Sequence, residues 1–235
     1  MINLKNKIIL LKLSYEYKHE NFDIFPCVIQ DEKNLVLVDC GYPNSLHLIE
    51  EEMINNGLNP KNLTHLFLTH QDDDHMGSAK EIKVKYPNIK IVASLKEKPY
   101  IEGTKKNLRL IQGEKVLDTL PKEYKEFGIE FCKRYENLNN VKVDITVNDG
   151  DILDWFGGCM VVETPGHTPG HTSLYLKNEK IFITGDAAVI EDGNLVIANP
   201  QFCLDLSTAE KSLENFKNLK IEKYICYHGG ILGAH

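Results

Sequence analysis

The sequence predicts an α/β protein in which short apolar strands alternate with amphipathic helices. Apolar runs such as residues 35–38 and 181–184 indicate strands. Between such runs, Leu46, Ile49 and Met53 recur on one side of a helix. The chain has 235 residues, of which 42% are hydrophobic and 26% charged, so it can form a folded core and is not generally disordered.

Strands and helices alternate through the first half of the chain. Its predicted strands are residues 8–13, 25–29, 35–38, 65–69 and 89–93. Asn44 is predicted to cap a helix that stops near Gly57. A second helix covers residues 78–86 and is halted by Pro87.

The second half repeats this architecture without an evident sequence repeat. Its predicted strands are residues 141–147, 160–163, 173–176, 181–184 and 224–226. A helix is predicted to begin at Ser207, because Ser-Thr-Ala-Glu at residues 207–210 forms a capping box.

Between the halves, residues 95–140 are rich in Lys and Glu and show no strand pattern. We interpret them as a helical insertion in a single domain that spans residues 1–235. The insertion could lie over a functional site, or it could be a solvated surface excursion. Tyr124, Phe127 and Phe131 could form an apolar wall, but their spacing favours packing of a helix onto the body.

Charge and cysteine usage limit the partners. The net charge of −7 argues against a nucleic-acid partner that needs a basic surface. Neither a signal peptide nor a membrane-spanning run is evident, so no membrane partner is expected. The six cysteines form no CxxC pair and are interpreted as reduced core residues. We therefore expect a cytoplasmic protein that acts on a small molecule, in an oligomeric state that the sequence does not indicate.

Five of the nine histidines fall in three short stretches, residues 68–77 (LTHQDDDHMG), 163–172 (ETPGHTPGHT) and 226–230 (CYHGG). A fourth stretch, residues 183–188 (ITGDAA), holds an aspartate. Each stretch follows an apolar strand, and loops at the carboxyl ends of strands converge in α/β proteins. Imidazole and carboxylate together suit divalent cations. The pattern therefore predicts a site for one or two metal ions.

Within the first stretch, a tight turn entering a helix could place His70, Asp72, Asp74 and His75 together, with Asp74 at the helix N-terminus. Asp73 is predicted to be a solvated turn residue. The remaining histidines are interpreted as hydrogen-bonded structural residues: His19, His47, His65, His171 and His235. Of these, His171 could also support a metal ligand.

At these residues the sequence resembles the metallo-β-lactamase superfamily. The family pattern T-H-x-H-x-D-H matches residues 69–75 (THQDDDH) except at its middle histidine, where Asp72 stands. Four further elements resemble the family in the right order: residues 38–41 (VDCG), 164–167 (TPGH), 185–186 (GD) and 228–229 (HG). The resemblance implies an αβ/βα four-layer sandwich of two mixed β-sheets with outer helices.

The resemblance also implies ligands for two divalent metal ions, zinc or else manganese or iron. The first ion would be bound by His70, His167 and, in the position usually occupied by histidine, Asp72. The second would be bound by Asp74, His75 and His228, with Asp186 bridging both ions. Asp39 has no ligand role in the family and is predicted to be a buried loop anchor.

The function implied is that of a metal-dependent hydrolase. Two ions would bridge a water and lower its pKa, giving a hydroxide that attacks a carbonyl or phosphoryl centre. Asp74 is the predicted catalytic residue, because it could orient the nucleophile as well as bind metal. The absent leader argues against an exported β-lactamase, and the absent basic surface argues against nucleic-acid processing. The expected substrate is a small carboxylic ester, lactone or thioester.

Asp72 keeps two alternatives open. Family members with a carboxylate at this position include di-iron redox proteins acting on oxygen or nitric oxide, although 235 residues leave no room for their flavin domain. A non-catalytic metal-binding module is the other. As a ligand, Asp72 would shift metal preference from zinc towards manganese or iron. If Asp72 instead points to solvent, the first metal site is weak or empty.

Overall fold

The computed structural model describes residues 6–233. His235, interpreted above as a structural histidine, and residues 1–5, which belong to the segment searched for a signal peptide, lie outside this range. The strands and helices up to the start of the insertion are β1 (Lys7–Leu10), β2 (Leu13–Tyr17), β3 (Glu20–Ile24), β4 (Cys27–Gln30), β5 (Leu35–Val38), α1 (Leu46–Asn55), β6 (His65–Leu68), α2 (Asp73–Met76), α3 (Ala79–Lys85) and β7 (Lys90–Ser94).

The insertion is helical, and a second group of strands follows it. These elements are α4 (Lys98–Ile101), α5 (Leu108–Leu117), α6 (Lys125–Glu136), β8 (Ile145–Val147), β9 (Ile152–Leu153), β10 (Cys159–Glu163), β11 (Thr172–Leu176), β12 (Ile181–Ile183), β13 (Val189–Glu191), β14 (Asn194–Val196), α7 (Leu206–Lys217), β15 (Lys223–Cys226) and β16 (Gly230–Gly233). Short 3₁₀ turns cover Pro60–Asn62, Lys122–Tyr124 and Pro200–Phe202.

Two mixed six-stranded sheets form the body. The first has the order β1-β4-β5-β6-β7-β8, and the second has the order β16-β15-β12-β11-β10-β9. In the first sheet β5, β6, β7 and β8 run parallel, whereas β1 and β4 are joined by antiparallel pairing. In the second sheet β12 and β15 run parallel and the other pairs are antiparallel.

The sheets pack face to face, with helices covering their outer faces. In β5, Val36 and Val38 join the core between the sheets, whereas Leu35 and Leu37 face the helical layer. This alternation is the period-two geometry of a strand that is buried on both faces. On the far side, Phe216 of α7 stacks on Phe182 of β12. The predicted four-layer sandwich is confirmed.

Both predicted helix caps are wrong. Residue Asn44 lies in the left-handed region (φ 68°), and the residue before α1 is Ser45. At α7, Asp205 is the cap, because its extended backbone lets its carboxylate accept a hydrogen bond from the backbone N–H of Thr208 at 3.0 Å. Ser207 therefore lies in the first turn of the helix.

The predicted strand at residues 141–147 is too long, since only β8 forms. The backbone N–H of Val141 donates to the carbonyl of Ile101 (3.1 Å), and that of Val143 donates to the carboxylate of Glu102 (3.0 Å). These residues are buried against α4 instead of pairing with a strand. Conversely, the hairpins β2–β3 and β13–β14 were not predicted.

The structure also bears on two histidines and on the expectation that no segment crosses a membrane. The side chains of His19 and His47 are exposed, so neither is a core residue, although His47 Nδ1 lies 3.0 Å from the carbonyl oxygen of Asn44. Among the residues from 6 to 233, no helix combines the length and apolarity needed to cross a bilayer.

Candidate metal centre

The histidines and aspartates singled out above meet at one edge of the sandwich. They lie on loops that follow the carboxyl ends of β6, β10, β12 and β15. In the second sheet β10, β12 and β15 run in the same direction, so the loops that follow them lie at one edge, where the loop after β6 meets them. Seven side chains come together there: His70, Asp72, Asp74, His75, His167, Asp186 and His228.

The turn into α2 gathers four of these groups. Asp72 has an extended backbone (φ −71°, ψ 150°) and precedes the first helical residue. Asp74 then lies in the first helical turn, where the helix dipole favours a carboxylate, and His75 follows it. Residues on either side of the helix start thus face one centre, as the sequence predicted for this turn.

Neighbouring atoms of four side chains have the spacing expected between metal ligands, and the ligand atoms of three of them, Asp74, His75 and His228, all lie within 4.8 Å of one another. Nε2 of His75 lies 3.2 Å from Asp186 Oδ1 and 3.6 Å from Asp74 Oδ2. Nε2 of His228 lies 3.3 Å from Asp74 Oδ2 and 3.5 Å from Asp186 Oδ1. Atoms placed tetrahedrally about 2.1 Å from an ion are roughly 3.4 Å apart.

The hydrogen bonding of these atoms also fits a cation. His75 Nε2 and Asp186 Oδ1 are buried and have no hydrogen-bond partner. Buried polar atoms are rarely left unpaired, so these two atoms fit a bound ion; in the neighbouring group, His70 Nε2 and Asp72 Oδ1 are unpaired as well. Asp74, His75, Asp186 and His228 therefore fit a divalent metal, and we call them the Asp74 set.

The Asp74 set is held in place from outside. Asp39 Oδ2 lies 2.8 Å from His75 Nδ1, and its two oxygens accept hydrogen bonds from Thr69 N (2.9 Å) and Oγ1 (2.8 Å). Asp39 thus directs the opposite nitrogen of His75 towards the centre. It is buried, as predicted for a loop anchor, and its hydrogen bond to the candidate ligand His75 is not indicated by the sequence.

His171 supports Asp186. The backbone N–H of Asp186 donates to His171 Nε2 at 2.9 Å, and Thr164 Oγ1 lies 2.8 Å from His171 Nδ1. Burial and the neighbouring histidines lower the pKa of His171 well below its usual value, which keeps it neutral and able to accept. Gly185 has a positive φ of 54°, and a Cβ there would lie 2.7 Å from His171 Nε2, so only glycine fits.

The remaining ligand candidates, His70, Asp72 and His167, also approach one another. Asp72 Oδ2 lies 3.4 Å from His70 Nε2 and 3.0 Å from His167 Nε2. A residue that the sequence did not single out enters this group. Arg109, the second residue of α5, donates from Nε to Asp72 Oδ2 (2.7 Å) and from Nη2 to His167 Nε2 (2.8 Å).

Asp72 is therefore buried, and the alternative in which it points to solvent is wrong. Burial alone would raise the pKa of Asp72, but the guanidinium of Arg109 and the ring of His70 outweigh burial and hold that pKa well below its usual value. The carboxylate is thus ionised. Arg109 is only 1% exposed, so its charge depends on these contacts for compensation.

Asp73 was predicted to be solvated, and this is wrong. The residue is 2% exposed, and its carboxylate lies 2.6 Å from Nε of Arg134 on α6. Burial and the adjacent Asp74 raise the pKa of Asp73 to about 6, against the effect of Arg134. The helical insertion covers this residue, which local sequence alone does not indicate.

Glu97 is, like Arg109, a buried charged residue that the sequence did not single out. Its Oε1 accepts hydrogen bonds from Thr168 Oγ1 (2.7 Å) and Gly170 N (3.0 Å), and its Oε2 accepts from Gln71 N (3.1 Å). It therefore ties the loop carrying His167 to the loop carrying Asp72. Burial raises the pKa of Glu97.

A cleft of about 290 Å³ opens onto the centre. Aromatic and aliphatic side chains form much of its wall: Tyr42, Phe131, Tyr135, Val189 and Phe202. Arg134 adds a cation, with 46% of its side chain exposed. Tyr124 and Phe127 are exposed, so the interpretation that all three aromatic residues pack a helix onto the body is wrong; Phe131 alone of the three packs against the core and lines the cleft.

Comparison with known families agrees with this geometry. Residues 26–228 match the family described as the metallo-beta-lactamase superfamily. A probable metallo-hydrolase of Bacillus subtilis, YflN, is 24% identical over 83% of this chain and 75% of its own length. The hydroxyacylglutathione hydrolase GloC of Haemophilus influenzae is 28% identical over 66% of this chain, and the match covers 62% of that protein.

Solved structures share the fold. A metallo-beta-lactamase family protein from Thermus thermophilus superimposes with a TM-score of 0.71 at 20% identity, covering 96% of this chain and 74% of that one. An archaeal superfamily protein from Sulfolobus tokodaii gives a TM-score of 0.69 at 21% identity, covering 96% and 81%.

Proposed function

The chain belongs to the metallo-beta-lactamase superfamily, and on this basis we propose that it is a metal-dependent hydrolase of a small carboxylic ester, lactone or thioester. The observation that carries the proposal is the Asp74 set, whose neighbouring atoms lie 3.2–3.6 Å apart. A divalent ion held there would supply Lewis acidity, which lowers the pKa of water and polarises a substrate oxygen.

The residues of this chain would contribute positioning and proton transfer. Asp74 lines the cleft, and 15% of its side chain is exposed, so substrate and water can reach its carboxylate. We propose that Asp74 orients the attacking water and accepts its proton. His228, which is 34% exposed at its side chain, borders the same opening. Asp39 and His171 would keep the donor atoms in place during turnover.

The cleft favours a small substrate with an apolar part. Its volume of about 290 Å³ is at the low end of ligand pockets, and its aromatic wall can bind an acyl or alkyl group. Arg134 could contact an anionic group at the mouth of the cleft. The similarity to GloC, whose name denotes hydrolysis of hydroxyacylglutathione, favours the thioester among the three classes.

A turnover panel tests the proposal. Ester, lactone and thioester substrates are assayed with zinc, manganese or iron, each with and without a chelator. We expect hydrolysis of at least one class that the chelator abolishes and added metal restores. His75→Ala should remove this activity, whereas Glu130→Ala, on the exposed part of α6, should retain it. Full activity in the chelated protein would refute the proposal.

The redox alternative makes a different prediction from the same samples. A di-iron protein would hold two irons per chain, show a visible absorption spectrum, and consume oxygen or nitric oxide when supplied with an electron donor. If the iron-loaded chain consumes either gas and hydrolyses none of the panel, the redox function replaces the proposed one. Metal binding without either activity would indicate a binding module.

A further inference from the structure

We propose that Arg109 takes the place of the first metal ion, so that this chain binds a single divalent cation, in the Asp74 set. The inference rests on the proposed metal-dependent function for that set. It concerns the group formed by His70, Asp72 and His167, which the resemblance implies as the site of the first of two ions.

The decisive atom is Nε2 of His167. A neutral imidazole nitrogen has one lone pair. Arg109 Nη2 lies 2.8 Å from this nitrogen, and Asp72 Oδ2 lies 3.0 Å from it. If the nitrogen accepts from Arg109, its lone pair is occupied, and if it is protonated and donates to Asp72, it has none. In both cases His167 Nε2 cannot bind an ion.

The hydrogen bonding of the Nδ1 atoms of His75 and His167 also favours a metal ion at His75 and none at His167. His75 Nδ1 is paired with the Asp39 carboxylate, the arrangement expected for a metal ligand. His167 Nδ1 is buried and has no hydrogen-bond partner. Among residues 6–233, therefore, no carboxylate or carbonyl accepts a hydrogen bond from His167 Nδ1 to orient the ring for metal binding.

The two residues that precede Arg109 hold the start of α5 against Gln71. At the start of α5, the N–H of Leu108 donates to Gln71 Oε1 (2.9 Å), and Asn107 Nδ2 donates to the carbonyl of Gln71 (3.3 Å). The helix that carries Arg109 is thus attached to the residue next to Asp72. Further contacts to Gln112 Oε1 (3.1 Å) and the His167 carbonyl (3.3 Å) bring the guanidinium to four hydrogen bonds from its five N–H donors.

Charge balance supports one ion. Among the candidate ligands, the carboxylates of Asp72, Asp74 and Asp186 bring three negative charges; Asp72 and Asp186 are buried, and the Asp74 side chain is 15% exposed. Arg109 and one divalent ion bring three positive charges, which balance them. A second ion would add an excess of two positive charges beside a guanidinium that cannot lose its proton. The carboxylate of Asp72, in place of the family's histidine, is consistent with this pairing, because a buried guanidinium is stabilised by an anionic partner.

The test is a count of ions that does not depend on turnover. The protein is stripped with chelator, reloaded with excess manganese or zinc, desalted and analysed for metal per chain. We expect one ion per chain in the wild type. We expect two in the double variant Asp72→His with Arg109→Gln, because it restores the family's ligands and removes the guanidinium. Arg134→Gln, which changes the only other arginine of the chain, should keep one ion.

Electron paramagnetic resonance of the manganese-loaded wild type gives an independent result if the double variant does not fold. An isolated ion shows a resolved hyperfine pattern, whereas two ions bridged by Asp186 would be exchange-coupled. Two ions per chain or a coupled spectrum in the wild type would overturn the inference while leaving the hydrolase proposal intact. One ion without chelator-sensitive hydrolysis would support the role of Arg109 and refute the proposed function.

Discussion

Asp39 Oδ2 lies 2.8 Å from Nδ1 of His75, so a buried carboxylate sets the direction of a candidate ligand whose other nitrogen faces the candidate metal centre. Asp39 itself has a positive φ of 58°, which turns the chain at the end of β5 and brings its side chain under the β6 loop. The residues that follow the parallel strands β5 and β6 therefore act together to orient the imidazole of His75.

Asp39→Asn should therefore weaken metal binding. Asparagine keeps the shape of the side chain but loses the charge that stabilises the Nδ1–H of His75, so we expect a loss of about 10–100-fold in metal affinity. Competition with a chromophoric chelator measures this. Asp23→Asn, which removes a carboxylate paired with Lys12 at the surface, serves as the control and should leave affinity unchanged. Equal affinities in both variants would show that Asp39 has no influence on the ligand.

Asp186→Ala should lose more metal than His228→Ala. Asp186 Oδ1 neighbours both His75 and His228, and its backbone is held by His171, whereas His228 is partly exposed at the rim. For Asp186→Ala we expect a loss beyond the roughly 100-fold that a supporting residue causes. Metal analysis, with circular dichroism to verify folding, decides the order. Full metal content in Asp186→Ala would remove Asp186 from the site.

Glu97→Ala should destabilise the fold. The variant leaves the backbone N–H groups of Gln71 and Gly170 without their acceptor, and each buried unpaired donor costs about 1–3 kcal/mol. The free energy of unfolding in urea, measured with saturating metal, tests this. For the exposed control Glu130→Ala we expect a change within about 0.5 kcal/mol. A similar small change in Glu97→Ala would mean that water replaces the carboxylate.

His65 should make stability depend on pH. Burial, together with Lys90, lowers the pKa of His65 below 6.5, so between its folded and unfolded pKa values the unfolded chain binds more protons. The contribution of His65 is present above the unfolded pKa and is lost as pH falls through the folded pKa. His65→Phe keeps an aromatic ring beside Trp155 and removes the titration.

Urea unfolding at about pH 8 and about pH 5.5 compares the two proteins on either side of the unfolded pKa. We expect the wild type to lose more stability on acidification than His65→Phe does. His19→Phe, at a side chain that is 98% exposed, should behave like the wild type. An identical pH dependence in all three proteins would contradict the role of His65.

Much of the fold was predictable because strands carry a local signal. The run at residues 35–38 coincides with β5, and the predicted strands at residues 65–69 and 224–226 differ from β6 and β15 by one residue. Ends of helices were less predictable, since a cap depends on the backbone angle of one residue. The wrong choice of Asn44 over Ser45 follows from a left-handed turn that composition does not reveal.

The sequence by itself determined which residue types follow which strands, and hence the family, the sandwich and the ligand candidates. These features are encoded within short segments, where residue order fixes both spacing and side-chain direction. Only the tertiary structure decided what those candidates contact. Arg109 is separated from Asp72 by 37 residues and from His167 by 58, and Asp73 is covered by Arg134 from another helix. Helices α5 and α6 carry Arg109 and Arg134 to the carboxylates at the sheet edge. A buried carboxylate needs a cation for compensation, and here the cations come from distant parts of the chain.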